Sequence, residues 1–516
     1  MSLTVSANLP RAVENLGCNA DLRGYVYSWV LVEPGVIRWS SIGCKRRNTC
    51  AMSETGALRQ VMAMRWWRIF CAVCLVIVGL SAHSLRAEES SAAIGITDPS
   101  IATSLPQNGD PAGVRKELSK RGITYNLIYT NDVLSNLSGG NKRGTIDQGK
   151  VEGQLFVDLA KLVGWQDLTL YANAFQIHNT GRIRRDYVGG MNTIAAIEAV
   201  PTTRLSELWF ERSFLGGAAS FRVGQLAADS EFFYSDLNAI FLQSDWPTIA
   251  ASNLPSGGPA YPLSTPGARL KYNFLKDASL LLAIFNGDPA GPGNTSDAEF
   301  RNPYGLNFRV RDPALIMGEL QFRSNRGKDD TGLARTLKLG GWTHLGQFAD
   351  QRFANDGTLL ANPTGSGIPA QHRGDFGVYG VIDQQLYRPK GGDPNSGVSV
   401  FSRASMSPSD RNLVDLQVDA GVVFAGLIPS RPDDRFGISV IYARFSDSVR
   451  AFDQDQINFS GVPAPVRDYE ANFELSYVAQ MTAGWTVQPD FQYIRHPNGQ
   501  AGRDAIVIGV RTILKF

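Results

Sequence analysis

The end of the chain constrains the fold more than any other stretch. From Ala505 to Phe516, Ile506, Ile508, Val510, Thr512, Leu514 and Phe516 alternate with Ala505, Val507, Gly509, Arg511, Ile513 and Lys515. This is the period-two pattern of a strand, and it runs to the final residue and closes on an aromatic ring. A soluble sheet rarely leaves such an edge open, because unpaired strand edges recruit other chains. Pairing the last strand with the first in a closed ring removes both edges.

The same alternation recurs upstream as far as Ile123. Its clearest instance places Tyr469, Ala471, Phe473, Leu475 and Tyr477 on one face and Glu470, Asn472, Glu474 and Ser476 on the other. Tyr469 and Tyr477 stand roughly 26 Å apart along a strand, or about 20 Å along a membrane normal once tilt is included, close to the height of a lipid-facing band with aromatic edges. A soluble sandwich also alternates, with its polar rows outside. The distinguishing feature here is strand after strand with no helix to cover the apolar rows. Glycine is abundant, at 52 residues, which suits the many turns such a chain needs.

The expected fold is therefore all-β: a transmembrane antiparallel β-barrel with a short N-terminal periplasmic helix and a loop folded into the lumen. The segmentation yields roughly seventeen strand candidates, yet bacterial single-chain barrels have even strand numbers. Long loops near 135–150, 179–202, 227–265 and 286–303 alternate with short turns near 161–166, 214–217 and 276–277. Counting back from the end, long loops at 347–373 and 447–467 belong to the same side. The two countings collide between residues 304 and 346, so the false strand lies there and sixteen remain.

The N-terminal part reads differently. Residues 69–80 are apolar, preceded by Arg65 and Arg68 and followed by small residues up to Ala87. That is the layout of a secretory signal peptide, too short for an ordinary membrane-spanning helix. The expected divisions are 1–61 as a mis-assigned start or non-structural extension, 62–87 as the signal peptide, 88–121 as a periplasmic linker and short helix, and 122–516 as the barrel. The other reading of 1–61 is a cytoplasmic extension ahead of an uncleaved anchor. Cys18, Cys44, Cys50, Cys71 and Cys74 are the only cysteines. The barrel region thus carries no thiol, which suits a chain that crosses an oxidising periplasm.

Fifty basic against 48 acidic residues leave a net charge of +2, which gives no field to attract nucleic acid. The residues beyond the signal peptide resemble the OprB family of carbohydrate-selective porins, from about Val114 to Phe516. The stretches that carry the likeness are GVRKELSKRGITYNLIYTNDV, FRVGQLAADSEFFYSDLNAIFLQSDW, TPGARLKYNF, YEANFELSYVAQMTAGWTVQPDFQYIRHPNG and VIGVRTILKF. The resemblance implies sixteen strands, a narrowed eyelet, and passive diffusion of sugars such as glucose or small oligosaccharides. It is compatible with a monomer or a homotrimer.

A barrel of this size is too wide to select a solute without an obstruction. The longest loop, 227–265, is the candidate obstruction. It offers Asp229 and Trp246, and also Glu231, Asp236 and Asp245. Alternation aims Glu207 and Glu211, Arg222, Arg269 and Lys271, and Arg309 inward from neighbouring strands. Arginine forks and carboxylates exchange hydrogen bonds with sugar hydroxyls, and an aromatic plane stacks on their C–H face. Lumen charges that merely solvate the wall are the competing reading. No catalytic residue, cofactor or metal is expected: His178, His344, His372 and His496 lie in none of the usual hydrolase or zinc spacings. A non-selective pore and, more remotely, a barrel hydrolase are the alternatives. The expected partners are permeating sugars, outer-membrane lipid of a Gram-negative cell after Sec export, and the barrel-assembly machinery, which would engage Phe516.

Overall fold

The computed structural model describes residues 95–293, 297–327 and 330–516, together with the backbone of four short strands nearer the N-terminus. Those four, Asn19–Ala20, Tyr25–Glu33, Val36–Lys45 and Thr49–Cys50, form an antiparallel meander in a unit separate from the rest. Nothing in the periodicity of 1–61 announces them. The signal-peptide segment 62–87 lies outside the described residues.

Sixteen antiparallel strands form the main body, from Ile123–Ser138 to Ala505–Lys515, and they close into a barrel. Each strand pairs with its neighbours in sequence. The last pairs with the first from Ile506 opposite Ser138 to Lys515 opposite Ile128. Phe516 extends the seam by one more step: its N–H donates to Leu127 O (2.7 Å), and its carbonyl accepts from Leu127 N (2.8 Å). No backbone edge is left at the junction, as a hydrocarbon environment requires.

Side-chain facing follows the alternation. In the strand Tyr469–Thr482, Phe473 and Leu475 are exposed to the outside, whereas Glu470, Asn472, Glu474 and Ser476 are buried within the lumen. Leu270, Tyr272 and Phe274 of the strand Thr265–Leu275 form a similar outward row. The two-residue turn between Thr482 and Trp485 needs Gly484: its φ is +73°, and a Cβ there would come within 2.2 Å of the Ile101 backbone.

One expected strand is absent. Arg309 belongs to the long loop between Asn286 and Ala314, not to the wall. Phe308 and Val310 flank it as a strand's outer row would, but among the described residues no strand pairs with them, and Val310 is 79% exposed. The Arg309 guanidinium instead pairs locally with Asp312, with Nε to Oδ2 at 2.8 Å.

The chain enters the barrel along its short-turn rim. The helix Val114–Lys120 is capped by Asp110, whose two carboxylate oxygens accept from Arg115 N and Lys116 N, each at 3.0 Å. Its Arg115 is buried, with the guanidinium 4.4 Å from the Tyr125 ring and 5.0 Å from that of Phe516. Ile96 and Ala102 pack against the same phenylalanine. One arginine thus bridges the first strand and the last residue across the seam. A desolvated cation–π contact is worth about 2 kcal/mol. Arg115→Ala should therefore lower the temperature at which the folded, fast-migrating band converts to the unfolded one in a gel heat series, whereas Arg115→Lys should restore part of the loss. An unchanged conversion temperature in Arg115→Ala would show that the seam does not depend on this contact.

Candidate functional site

The loop 227–264 lies inside the barrel. Its Phe232, Phe233, Trp246 and Ile249 are buried against inward residues of the wall, among them Tyr171, Phe285, Trp342 and Tyr379. Phe233 stacks on Tyr379 with ring centres 4.0 Å apart, and Trp246 meets Phe233 edge-on. The apolar core of this protein is therefore the seam between loop and wall.

A loop inside a barrel also brings backbone N–H groups that need acceptors. Wall carboxylates supply them, often in pairs. Glu474 accepts from Leu242 N (2.7 Å) and Gln243 N (2.9 Å). Glu319 accepts from Phe233 N (2.9 Å) and the Tyr379 hydroxyl (2.8 Å). Asp383 accepts from Asp236 N and the Ser235 hydroxyl, and Gln417 from Ile249 N (2.7 Å). A second loop, 180–201, is held in the same way: Glu470 accepts from Met191 N and Asn192 N, each at 2.7 Å. Alternation places Glu470 and Glu474 inward, but nothing in the sequence says which backbone they grip.

The expected site residues divide into three groups. Glu211, Arg222 and Arg269 are cross-strand neighbours on three successive strands. With Glu231 from the loop they form a charge square. Arg222 Nη2 reaches Glu211 at 2.7 Å and Arg269 Nε reaches Glu231 at 2.8 Å, while the diagonal contacts, Arg222–Glu231 and Arg269–Glu211, measure 3.3 and 3.2 Å. Each charge in the square is met, so its role is to fix the loop to the wall. Lys271 follows Arg269 on the same inward row, toward the short turn.

Glu207 and Asp229 belong to a second group of anchors. Glu207 Oε1 accepts from Ala227 N where the loop leaves the wall (3.2 Å). Asp229 Oδ2 accepts from Tyr261 N, tying the start of the loop to its end (2.7 Å). Trp246 stands apart. It and Asp245 line two cavities: an outer one of about 240 Å³ among the loops 180–201, 227–264 and 287–313, and an inner one of about 230 Å³ beside Arg403. Arg309 lies away from both. Asp245 and Trp246 thus line both cavities, and Asp229 lines the inner one. Trp246 was identifiable as the loop's tryptophan, whereas Asp245 was one acid among several.

Burial raises the carboxyls around these cavities. It pushes Asp229 up to about 6 and Asp245 to about 7; Glu299, where Asp297 adds repulsion, also rises to about 7. Each carries charge above its raised value and loses it below. Raising the pH through about 7 therefore adds negative charge to the outer cavity, and the cation-over-anion preference in a KCl gradient should grow between about pH 6 and about pH 8. A flat reversal potential across that window would contradict this placement of the carboxyls.

The wall clamps generate a separate expectation. Glu474→Ala leaves two buried N–H groups without acceptors, at about 1–3 kcal/mol each. The barrel should still fold and shift on heating, but single-channel conductance should rise and become noisy as the loop loosens. Quiet openings of wild-type size would show that the clamp does not hold the loop.

Comparison with known proteins accords with this geometry. The chain is 27% identical over 430 residues to Porin B of Pseudomonas aeruginosa, covering 78% of this chain and 89% of that protein. It superposes on the high-pH structure of Pseudomonas putida OprB with a TM-score of 0.70 at 23% identity, covering 79% of this chain and 98% of that one. The model of the carbohydrate-selective porin family, OprB, matches residues 142–516. A closed ring of sixteen strands obstructed by its own loops, together with that match, places this outer-membrane chain in the OprB family of carbohydrate-selective porins, which are channels and not enzymes.

Proposed function

We propose that sugars diffuse passively through this barrel by way of the two cavities that meet at Asp245 and Trp246. The supporting observation is that these two residues alone line both spaces among the described residues. Hydroxyls of the solute exchange hydrogen bonds with Asp245 and with the indole N–H, while the clamped loop keeps the passage narrow. Glucose-sized monosaccharides and short oligosaccharides are the solutes this arrangement suits. The charge square of Glu211, Arg222, Arg269 and Glu231 serves to hold the obstruction in place, and Lys271 adds positive charge beyond it.

Export of the chain through the segment 62–87 and delivery to the outer membrane belong to the same reading. So does engagement of Phe516 by the barrel-assembly machinery before the seam closes. After closure Arg115 covers that ring, so recognition would have to precede folding.

Liposome swelling tests the sugar reading. Glucose should enter vesicles containing the protein faster than an amino acid of matched size, and Trp246→Ala should reduce that advantage. Equal rates for the two solutes in the wild type would support a general diffusion pore instead.

A further inference from the structure

The outer cavity is rich in acceptors. Glu198, Asp245, Asp297 and Glu299 line it, with Arg184 the one basic residue among the described lining groups. Three of these carboxylates are engaged by the protein. Asp297 is paired with Arg182, and Glu299 accepts from Val200 N at 2.7 Å. Glu198 accepts from Arg184 N with one oxygen at 2.7 Å.

Asp245 is different. Its side chain accepts from the Thr193 hydroxyl at 3.5 Å and forms no close ion pair, although Arg184 lines the same cavity and Arg403 Nη1 donates to the Asp245 backbone carbonyl at 3.2 Å. The other oxygen of Glu198, Oε1, also makes no hydrogen bond, with Arg184 Nε 3.6 Å away. Beside Asp245, Trp246 is 5% exposed, and its Nε1 has no acceptor. That N–H lies against Gly258, itself part of the cavity lining. The cavity thus presents an acid-rich lining, in which Asp245 has no close ion pair, together with one donor, Trp246 Nε1, that has no acceptor.

A ligand that completes this set must bring several donors and at least one acceptor. An ammonium brings three donors and no acceptor, whereas a hydroxyl brings one donor and two acceptor lone pairs. A neutral sugar meets the indole but adds no positive charge beside Asp245. An acidic sugar places like charge against it. The geometry points to amino sugars as a solute class bound in the outer cavity, with Asp245 taking the ammonium and Trp246 Nε1 donating to a hydroxyl oxygen. This inference rests on the sugar-pore reading and narrows it to a preferred charge.

Glucosamine differs from glucose only at C2 and glucuronate only at C6, so their swelling rates relative to glucose, in liposomes carrying the full chain at about neutral pH, report the charge preference. Wild-type protein should admit glucosamine faster than glucose, and glucuronate more slowly. Asp245→Asn should bring the glucosamine-to-glucose ratio down toward one and raise the glucuronate-to-glucose ratio. Trp246→Phe, which removes the N–H and keeps an aromatic ring, should slow both glucose and glucosamine and leave their ratio in place. A wild-type glucosamine-to-glucose ratio at or below one overturns the inference without need of any variant, as does a raised ratio that survives Asp245→Asn. If glucose moves no faster than a matched amino acid while the charge order holds, the sugar-pore reading fails and the acidic site stands.

Discussion

In a hydrocarbon medium an unpaired backbone N–H or C=O costs several kcal/mol, so a strand there must be paired on both sides along its length. Everything else in this protein depends on the ring of hydrogen bonds that meets this demand, completed where Ala505–Lys515 lies against Ile123–Ser138. Closure makes the two faces of every strand unequal. One row of side chains faces outward and the other meets the lumen, which is why Phe473 and Leu475 point out while Glu470, Asn472 and Glu474 point in. The seam is also where the N-terminal segment is used, since Arg115 binds the first strand and the terminal ring together.

The lumen repeats the same demand at a smaller scale. A loop that folds inward leaves water and must find acceptors for its own N–H groups. Glu319, Asp383, Gln417 and Glu474 provide them from the wall, and the loop's Phe232, Phe233, Trp246 and Ile249 fill the space between with apolar packing. Charges that would otherwise only solvate a wide tube thus become the fixings of its obstruction. With the loop fixed at so many points, Asp245 and Trp246 are the two residues that line both of the cavities left around it.

Much of this was legible from residue order and some was not. Alternation correctly aimed Glu207, Glu211, Arg222 and Arg269 inward, because facing is a local property of a strand. It misled at Arg309, where Phe308 and Val310 imitate an outer row in a segment without a pairing partner. Pairing is a relation between distant segments, and a period of two is silent about it. The miscounted strand was nonetheless locatable, since an even ring with long loops on one side admits only one parity.

The inward charges show the same division. Order along the chain could say that Arg222 and Glu211 share a lumen, but not that with Arg269 and Glu231 they satisfy one another and leave little for a solute. Asp245 was one acid in a loop of several until the loop's path placed it between two cavities without a close ion pair on its side chain. What the sequence alone determined is the class of protein, a sixteen-stranded ring with apolar rows facing outward, because the period is written in neighbouring residues and the even count follows from the alternation of long and short connections along the chain. What only the tertiary structure decided is which charges are used up in holding that loop and which remain to meet a solute, because that depends on contacts between residues as far apart as Leu242 and Glu474.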